Sequence, residues 1–240
     1  MEHRDRLWPG GYTFLYDDGL FRPSTDTFLL GAFPRLRRGM TVCELGAGTG
    51  LLSLLLLARE PELTVTGVEL QPAACALFRR TAEENGLLGR MHCLEGDLRQ
   101  GLLPPGRFRL AVANPPYFPP GAGAVAPDTA RRTARAETDC TLAQLCAAAA
   151  RALTWGGSFC LVHRPDRLAD VLEELRRVRL EPKRLRFVHH TAAARPSLFL
   201  LEARLGGGVG LTVEPPLLLH GPDGGETEDV RRAYFRDKEE

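Results

Sequence analysis

An α/β fold built on a parallel sheet is predicted by three observations. Strand-like and helix-like segments alternate through the middle of the chain. A glycine-rich turn, Gly46-Ala47-Gly48-Thr49-Gly50, stands between one strand and the helix after it. An acidic residue, Glu69, ends the next strand, about twenty residues further on.

Each element follows from local signals. Residues 24–33 read as a short helix with Ser24 or Thr25 as its cap. Residues 41–45 are a buried strand, 51–59 a helix and 64–69 a second strand. Pro72 sits where a first helical turn tolerates proline, and Gly86 where that helix should stop. Strands are expected at 91–94 and 108–113, the latter running into Asn114-Pro115-Pro116-Tyr117-Phe118. The Gly/Ala-rich stretch 119–136 reads as a mobile loop. A helix over 139–153 should end at Gly156-Gly157, before a strand at 158–163. Asp166 is the expected cap of a helix with Leu168, Val171, Leu172, Leu175 and Val178 at helical spacing. Residues 184–189 and 197–202 are the last strands, and Gly206-Gly207-Gly208 with Gly210 breaks the chain before a polar tail. The expectation is a single domain: extension 1–40, core 41–205, tail 206–240.

Composition narrows the function. The chain has 31 basic and 30 acidic residues, which excludes gross non-specific nucleic-acid binding but permits a local basic patch. No apolar run reaches the ~18 residues of a membrane span, and the first residues lack a signal-peptide core. The six cysteines form no CxxC pair and read as reduced thiols of a cytoplasmic protein. No Cys/His set has zinc-ligand spacing, so no metal is expected. His163, His189 and His190 fall on strands or strand ends and read as structural.

The glycine turn is the candidate cofactor site. Glycines let the backbone turn sharply and approach a ligand closely, and the helix behind offers unpaired N–H groups. Glu44, Gly46, Ala47, Gly48 and Gly50 form this set. Glu69 is placed to accept hydrogen bonds from two ribose hydroxyls, and Asp97, after the third strand, to bind an adenine edge by its carboxylate or a backbone N–H. Leu70 and Leu98, next in the chain, and Asn114 after the fourth strand complete the set. The GxGxG spacing differs from the GxGxxG of dinucleotide folds, and no Gly-Lys-Ser/Thr follows, which excludes a P-loop. A nicotinamide cofactor and a glycine turn without function are the alternatives.

Asn114-Pro115-Pro116-Tyr117 is the candidate reaction motif. The glycine loop, the acid after the second strand and this tetrapeptide after the fourth resemble class I methyltransferases that act on amide or aromatic amino nitrogens. That resemblance implies S-adenosylmethionine as cofactor and a seven-stranded, mostly parallel sheet with helices on both faces and an antiparallel last strand. An aromatic amino lone pair is delocalised and poorly nucleophilic. Two acceptors, the Asn114 side-chain oxygen and the Pro115 carbonyl, would hold both N–H bonds and turn the lone pair toward the sulfonium methyl. Pro115 and Pro116 stiffen the backbone that aims them. Tyr117 could stack on the target base, with Phe118 beside it. A Pro-rich turn or a polyproline ligand is the alternative reading of the motif alone.

The resemblance extends over nearly the whole chain to the bacterial tRNA(Val) adenine-N6-methyltransferase family. It rests on Tyr12-Thr13-Phe14, Ser24-Thr25-Asp26-Thr27-Phe28-Leu29-Leu30, Gly67-Val68-Glu69-Leu70-Gln71, Leu161-Val162-His163-Arg164-Pro165, Leu180-Glu181-Pro182-Lys183-Arg184, Pro215-Pro216-Leu217 and Tyr234-Phe235. It implies a tRNA methyltransferase acting on the adenine beside the anticodon, with Asp26 helping to hold the methionine end of the cofactor; a monomer is expected, though the sequence does not give the oligomeric state. An Asp in a first helical turn also simply suits the helix dipole. One departure is Ala134-Arg135-Ala136-Glu137, where many members carry His at the third position. Arg131, Arg132, Arg135, Lys183 and Arg184 are the expected RNA contacts, within or beside the clusters that phosphate binding needs. A solvated helix face is the other reading of the cluster over 176–186. Competing functions are a glutamine N5-methyltransferase, weakened by the short N-terminal extension, a guanine-N2 rRNA methyltransferase, and a non-catalytic RNA-binding scaffold.

Overall fold

The computed structural model describes residues 1–20, 22–115 and 140–238. Asn114 and Pro115 are among them; Pro116, Tyr117, Phe118, Arg131, Arg132, Arg135, Ala136 and the expected mobile loop lie outside the described residues.

An antiparallel ribbon, β1 (Glu2–Arg6) and β2 (Thr13–Asp17), comes first, then α1 (Thr25–Ala32). The alternating core follows as β3 (Thr41–Leu45), α2 (Leu51–Arg59), β4 (Thr64–Glu69), α3 (Pro72–Glu84), β5 (Met91–Glu95) and β6 (Phe108–Ala113). After the undescribed stretch come α4 (Leu142–Ala152), β7 (Leu153–His163), α5 (Leu168–Arg177), β8 (Leu180–His189) and β9 (Pro196–Leu205). Two short strands, β10 (Thr212–Val213) and β11 (Leu217–Leu218), and α6 (Glu228–Ala233) close the chain.

The main sheet runs β8-β9-β7-β6-β3-β4-β5, with β9 antiparallel to both neighbours and the other pairings of this path parallel. This is the seven-stranded arrangement the sequence predicts. β10 and β11 add to the β8 edge and bring the sheet to nine strands. β3 pairs with β4 on one side and β6 on the other, so the strand order reverses there. A crevice at the carboxyl ends of these strands is where such sheets bind ligands.

The pleat decides which residues face which helices, because successive side chains point to opposite faces. Val42, Val65, Leu110 and Val112 join the core formed with α1, α2, α3 and α6. Cys43, Leu45, Val68, Ala111 and Ala113 join the core under α4 and α5. Glu44 and Asn114 carry the parity of Val42 and Val112, which sets both on the α1/α2 side.

The extension holds more than its expected helix, and three expectations are corrected. Residues 1–40 hold a β-ribbon, tied to α3 by Thr13 N–H donating to Asn85 Oδ1 at 2.8 Å and Asn85 Nδ2 donating back to the Thr13 carbonyl at 2.6 Å. α4 begins with a capping box between Thr141 and Gln144 and runs directly into β7 at Leu153. Gly156-Gly157 therefore lies inside β7, near the shift in β6–β7 register, and does not end the helix. Asp166 sits in a short 3-10 turn and Arg167 occupies the position before α5 without a side-chain cap. The polar tail is folded: Val230, Ala233 and Phe235 are buried in the core, and the Arg59 guanidinium donates to the carbonyls of Arg232 and Ala233 at 3.1 and 2.9 Å and lies over the Phe235 ring.

Candidate active site

The glycine turn closes between β3 and α2. Gly46 and Ala47 N–H groups donate to the Val68 carbonyl at 3.0 and 2.9 Å, which draws the turn across the end of β4. The turn needs glycine for two different reasons. At Gly50, with φ +86°, an added Cβ would lie 2.6 Å from Phe78, so the core blocks it. At Gly46, with φ +73°, an added Cβ meets nothing within 4 Å, so the space in front of it is open. An open, exposed backbone above a tight turn is what close approach by a ligand requires.

Glu69 ends β4 with 7% exposure and is held from below. Its two oxygens accept from Gly48 N–H at 2.8 Å and Gln71 N–H at 2.9 Å. A carboxylate has about four lone-pair positions, so two donors leave capacity for two hydroxyls. Thr49 Oγ1 is buried and has no hydrogen-bond partner among the described residues. An orphaned hydroxyl in the turn and a preset carboxylate beside it are the donor set a nucleoside cofactor with a polar amino-acid tail would fit.

Glu44 behaves differently from its neighbours. It is 4% exposed and turned toward the start of α2, where it accepts from Ser53 N–H at 3.0 Å and from the Ser53 hydroxyl. Burial pushes its carboxyl up to about 8, against the pull of the Ser53 hydrogen bonds. Leu70 follows Glu69 and is exposed. Asp97 precedes a 3-10 turn that includes Leu98, and accepts from Arg99 N–H at 2.8 Å. The Arg99 side chain also grips both Asp97 oxygens at 2.5–2.9 Å, and these bonds hold the carboxyl below its usual range. Asp97 is thus engaged by Arg99, a partner the sequence reading did not include.

Asn114 and Pro115 follow β6 at the same carboxyl edge, with Asn114 half-buried. Asn114 Nδ2 donates to Thr27 Oγ1 at 2.9 Å, across 87 residues of chain. Thr27 lies on α1, beside Asp26 in the first turn. Ser24 is at the N-cap position, as expected, but makes no side-chain cap; its hydroxyl lies 3.2 Å from that of Thr27. Thr27 was missed by sequence reasoning as a site residue. Its signal is the Ser-Thr-Asp-Thr run together with the Asn114 pleat parity.

Two expected RNA contacts are not brought to this edge. Arg184 lies in mid-β8 with a side chain 12% exposed, paired with Glu202 at 2.9 Å and Glu214 at 3.3 Å and stacked over Phe33. Lys183 donates to the Gly208 carbonyl at 3.0 Å. Arg176 and Arg177 pair with Glu181, Glu173 and Glu174. At the carboxyl edge stand Arg164 after β7 and His190 and Arg195 after β8, all exposed. His163 ends β7 buried, its imidazole pushed down to about 4 by that burial and by Arg167. Among the described residues no group of three or more His, Cys, Asp or Glu is placed to hold a metal ion, and no helix is long and apolar enough to cross a membrane.

The reversal of strand order, the glycine turn, the Glu69 carboxylate and an Asn-Pro step after β6 are those of an S-adenosylmethionine-dependent class I methyltransferase. Residues 23–181 match the model of the methyltransferase small domain. The chain is 32% identical over 182 residues to a tRNA1(Val) (adenine(37)-N6)-methyltransferase of Yersinia enterocolitica, covering 73% of this chain and 71% of that one. It is 34% identical over 160 residues to the protein of the same name from Yersinia pestis, covering 64% of each. A predicted O-methyltransferase from Agrobacterium tumefaciens shares the fold with a TM-score of 0.72 at 21% identity, over 87% of this chain and 96% of that one. The chain belongs to the methyltransferase small domain family, among relatives named as tRNA adenine-N6-methyltransferases.

Proposed function

We propose that this enzyme transfers a methyl group to the exocyclic N6 of an adenine in tRNA, at the nucleotide beside the anticodon, in the cytoplasm. The observation that carries the reading is the oriented Asn114 amide at the carboxyl edge of β6, next to β3, which bears the glycine turn and pairs on its other side with the strand that ends in Glu69. The names of its relatives favour the same substrate.

S-adenosylmethionine, when bound, supplies an electrophilic methyl group on its sulfonium. Glu69 would hold the ribose hydroxyls, the open backbone at Gly46 the amino-acid end with Gly48 holding Glu69 in place, and Asp26 that same end from α1. Leu98 and the Asp97 segment would line the adenine, and Glu44 would act through the start of α2. The Asn114 Oδ1 and the Pro115 carbonyl accept the two N–H bonds of the substrate amino group, so its lone pair points away from the ring plane and toward the methyl. The methylated amine is acidic and loses its proton readily, so no strong base is required. Pro116, Tyr117 and Phe118 would complete the motif, with Tyr117 stacking on the base.

Arg164, His190 and Arg195 share the edge of the site and suit phosphate contact; Arg131, Arg132 and Arg135 would add to them. An anticodon loop presents its bases at low unstacking cost. The test is single-turnover methylation of unmodified tRNA by wild type and Asn114→Ala. Transfer by wild type and its loss in the variant, with cofactor binding kept, is expected; equal rates would overturn the role of Asn114.

A further inference from the structure

α1 reaches the reaction motif through a hydroxyl pair that its own capping does not use. Ser24 occupies the N-cap with extended backbone, φ −128° and ψ 154°, the conformation in which a serine normally accepts from an N–H of the first turn. It makes no such bond. Its hydroxyl lies instead 3.2 Å from the hydroxyl of Thr27, which is itself 2% exposed and accepts from Asn114 Nδ2 at 2.9 Å. The hydroxyl that would cap the helix is thus turned to the residue that touches the motif.

We propose that Thr27 is a positioning residue for methyl transfer, with Ser24 setting the direction of its hydrogen bond. The inference rests on the role of Asn114 given above. A hydroxyl has one proton and two acceptor positions. Alone, it can accept from an amide NH2 or donate to an amide oxygen. Either hydroxyl of the 3.2 Å Ser24–Thr27 pair can donate; with the Thr27 proton given to Ser24 Oγ, Thr27 Oγ1 is left as an acceptor toward Asn114. The Asn114 NH2 is then the end held on α1, and Oδ1 is the end turned away from it. The reversed amide would offer donors to a substrate amino group that needs acceptors. The Ser24–Thr27–Asn114 chain thus supports the reactive orientation before substrate arrives.

The experiment compares Thr27→Val, which keeps the shape and removes the acceptor, with Thr27→Ser, which restores it. On tRNA, Thr27→Val should lower kcat about 10- to 100-fold, with KM and S-adenosylmethionine affinity near wild type, and Thr27→Ser should recover most of the loss. Ser24→Ala should fall between the two. A readout independent of transfer is the side-chain NH2 resonance pair of Asn114, assigned by its loss in Asn114→Ala. One of the two protons should move upfield in Thr27→Val and return in Thr27→Ser. Wild-type kcat in Thr27→Val overturns the proposal, as does an NH2 pair that ignores Thr27. If wild type transfers nothing to tRNA, the substrate reading fails, and the NH2 resonances still decide whether Thr27 holds Asn114.

Discussion

The Glu69 carboxylate at the end of β4 accepts from Gly48 N–H at 2.8 Å, so the acid of one strand is fastened to the glycine turn that leaves the strand beside it. The bond fixes the carboxylate before any ligand binds. Glu69→Gln keeps the shape but removes the charge that strengthens hydrogen bonds to hydroxyls, each worth about 1.5–3 kcal/mol, and leaves one of the Gly48 and Gln71 N–H groups without its acceptor. The dissociation constant for S-adenosylmethionine should rise ~10- to 100-fold by calorimetric titration, while the thermal midpoint stays within a few degrees. Unchanged affinity would remove Glu69 from the cofactor site.

The two kinds of glycine in the turn predict different failures. Gly50→Ala forces a Cβ into Phe78 at a left-handed φ, and the backbone strain alone costs about 1–3 kcal/mol. It should show mainly as a lowered melting temperature. Gly46→Ala pays the backbone strain without a clash, but fills the open space in front of the turn. Compared at equal stability, it should lose more cofactor affinity than Gly50→Ala does.

Stability should fall on the alkaline side because of Glu44. Its carboxyl is raised from 4.5 to about 8, so between those values the folded state holds a proton that the unfolded chain releases. Its stabilising effect is complete below pH 4.5 and is lost as pH rises toward 8. His163, lowered from 6.5 to about 4, contributes in the opposite sense: its stability is present above pH 6.5 and lost as pH falls through about 4. The two slopes oppose each other up to pH 6.5, which leaves a net fall from there to about 8. Urea melts across that range should show a loss on the order of a few kcal/mol, and Glu44→Gln should flatten it.

The C-terminal segment should govern α1. Tyr234 donates to Thr25 Oγ1 at 3.0 Å, and its ring stacks on Phe28 with centroids 4.3 Å apart. Tyr234→Ala should cost about 2–3 kcal/mol and speed amide hydrogen exchange over 25–32 more than over α3. Equal exchange in both helices would show that the segment does not brace α1.

The parallel core was legible because its signals are local. Val42 to Leu45 and Leu110 to Ala113 are short apolar runs bounded by turns, and Gly46 to Gly50 punctuates them. Pleat parity even carried Asn114 to the α1 face. The ribbon was hidden because β1 reads Glu-His-Arg-Asp-Arg and buries no complete face, so it has no alternation to detect. The tail was hidden because its buried residues, Leu217, Val230, Ala233 and Phe235, are scattered among polar ones. Arg184 misled for a related reason. It stands in a run of basic residues, yet its partners Glu202 and Glu214 are 18 and 30 residues away, and only the sheet brings them together. Thr27 meets Asn114 across 87 residues, so the Ser-Thr-Asp-Thr run alone does not name its partner.

The central claim is that an adenine amino group in tRNA receives the methyl. Total tRNA from a strain lacking its own adenine-N6 activity would be incubated with the protein and S-adenosylmethionine bearing a deuterated methyl, then digested to nucleosides for mass spectrometry. N6-methyladenosine carrying the deuterated methyl, absent with Asn114→Ala, is the predicted result. Deuterated methyl on guanine N2, or on no nucleoside while the cofactor binds, would contradict it.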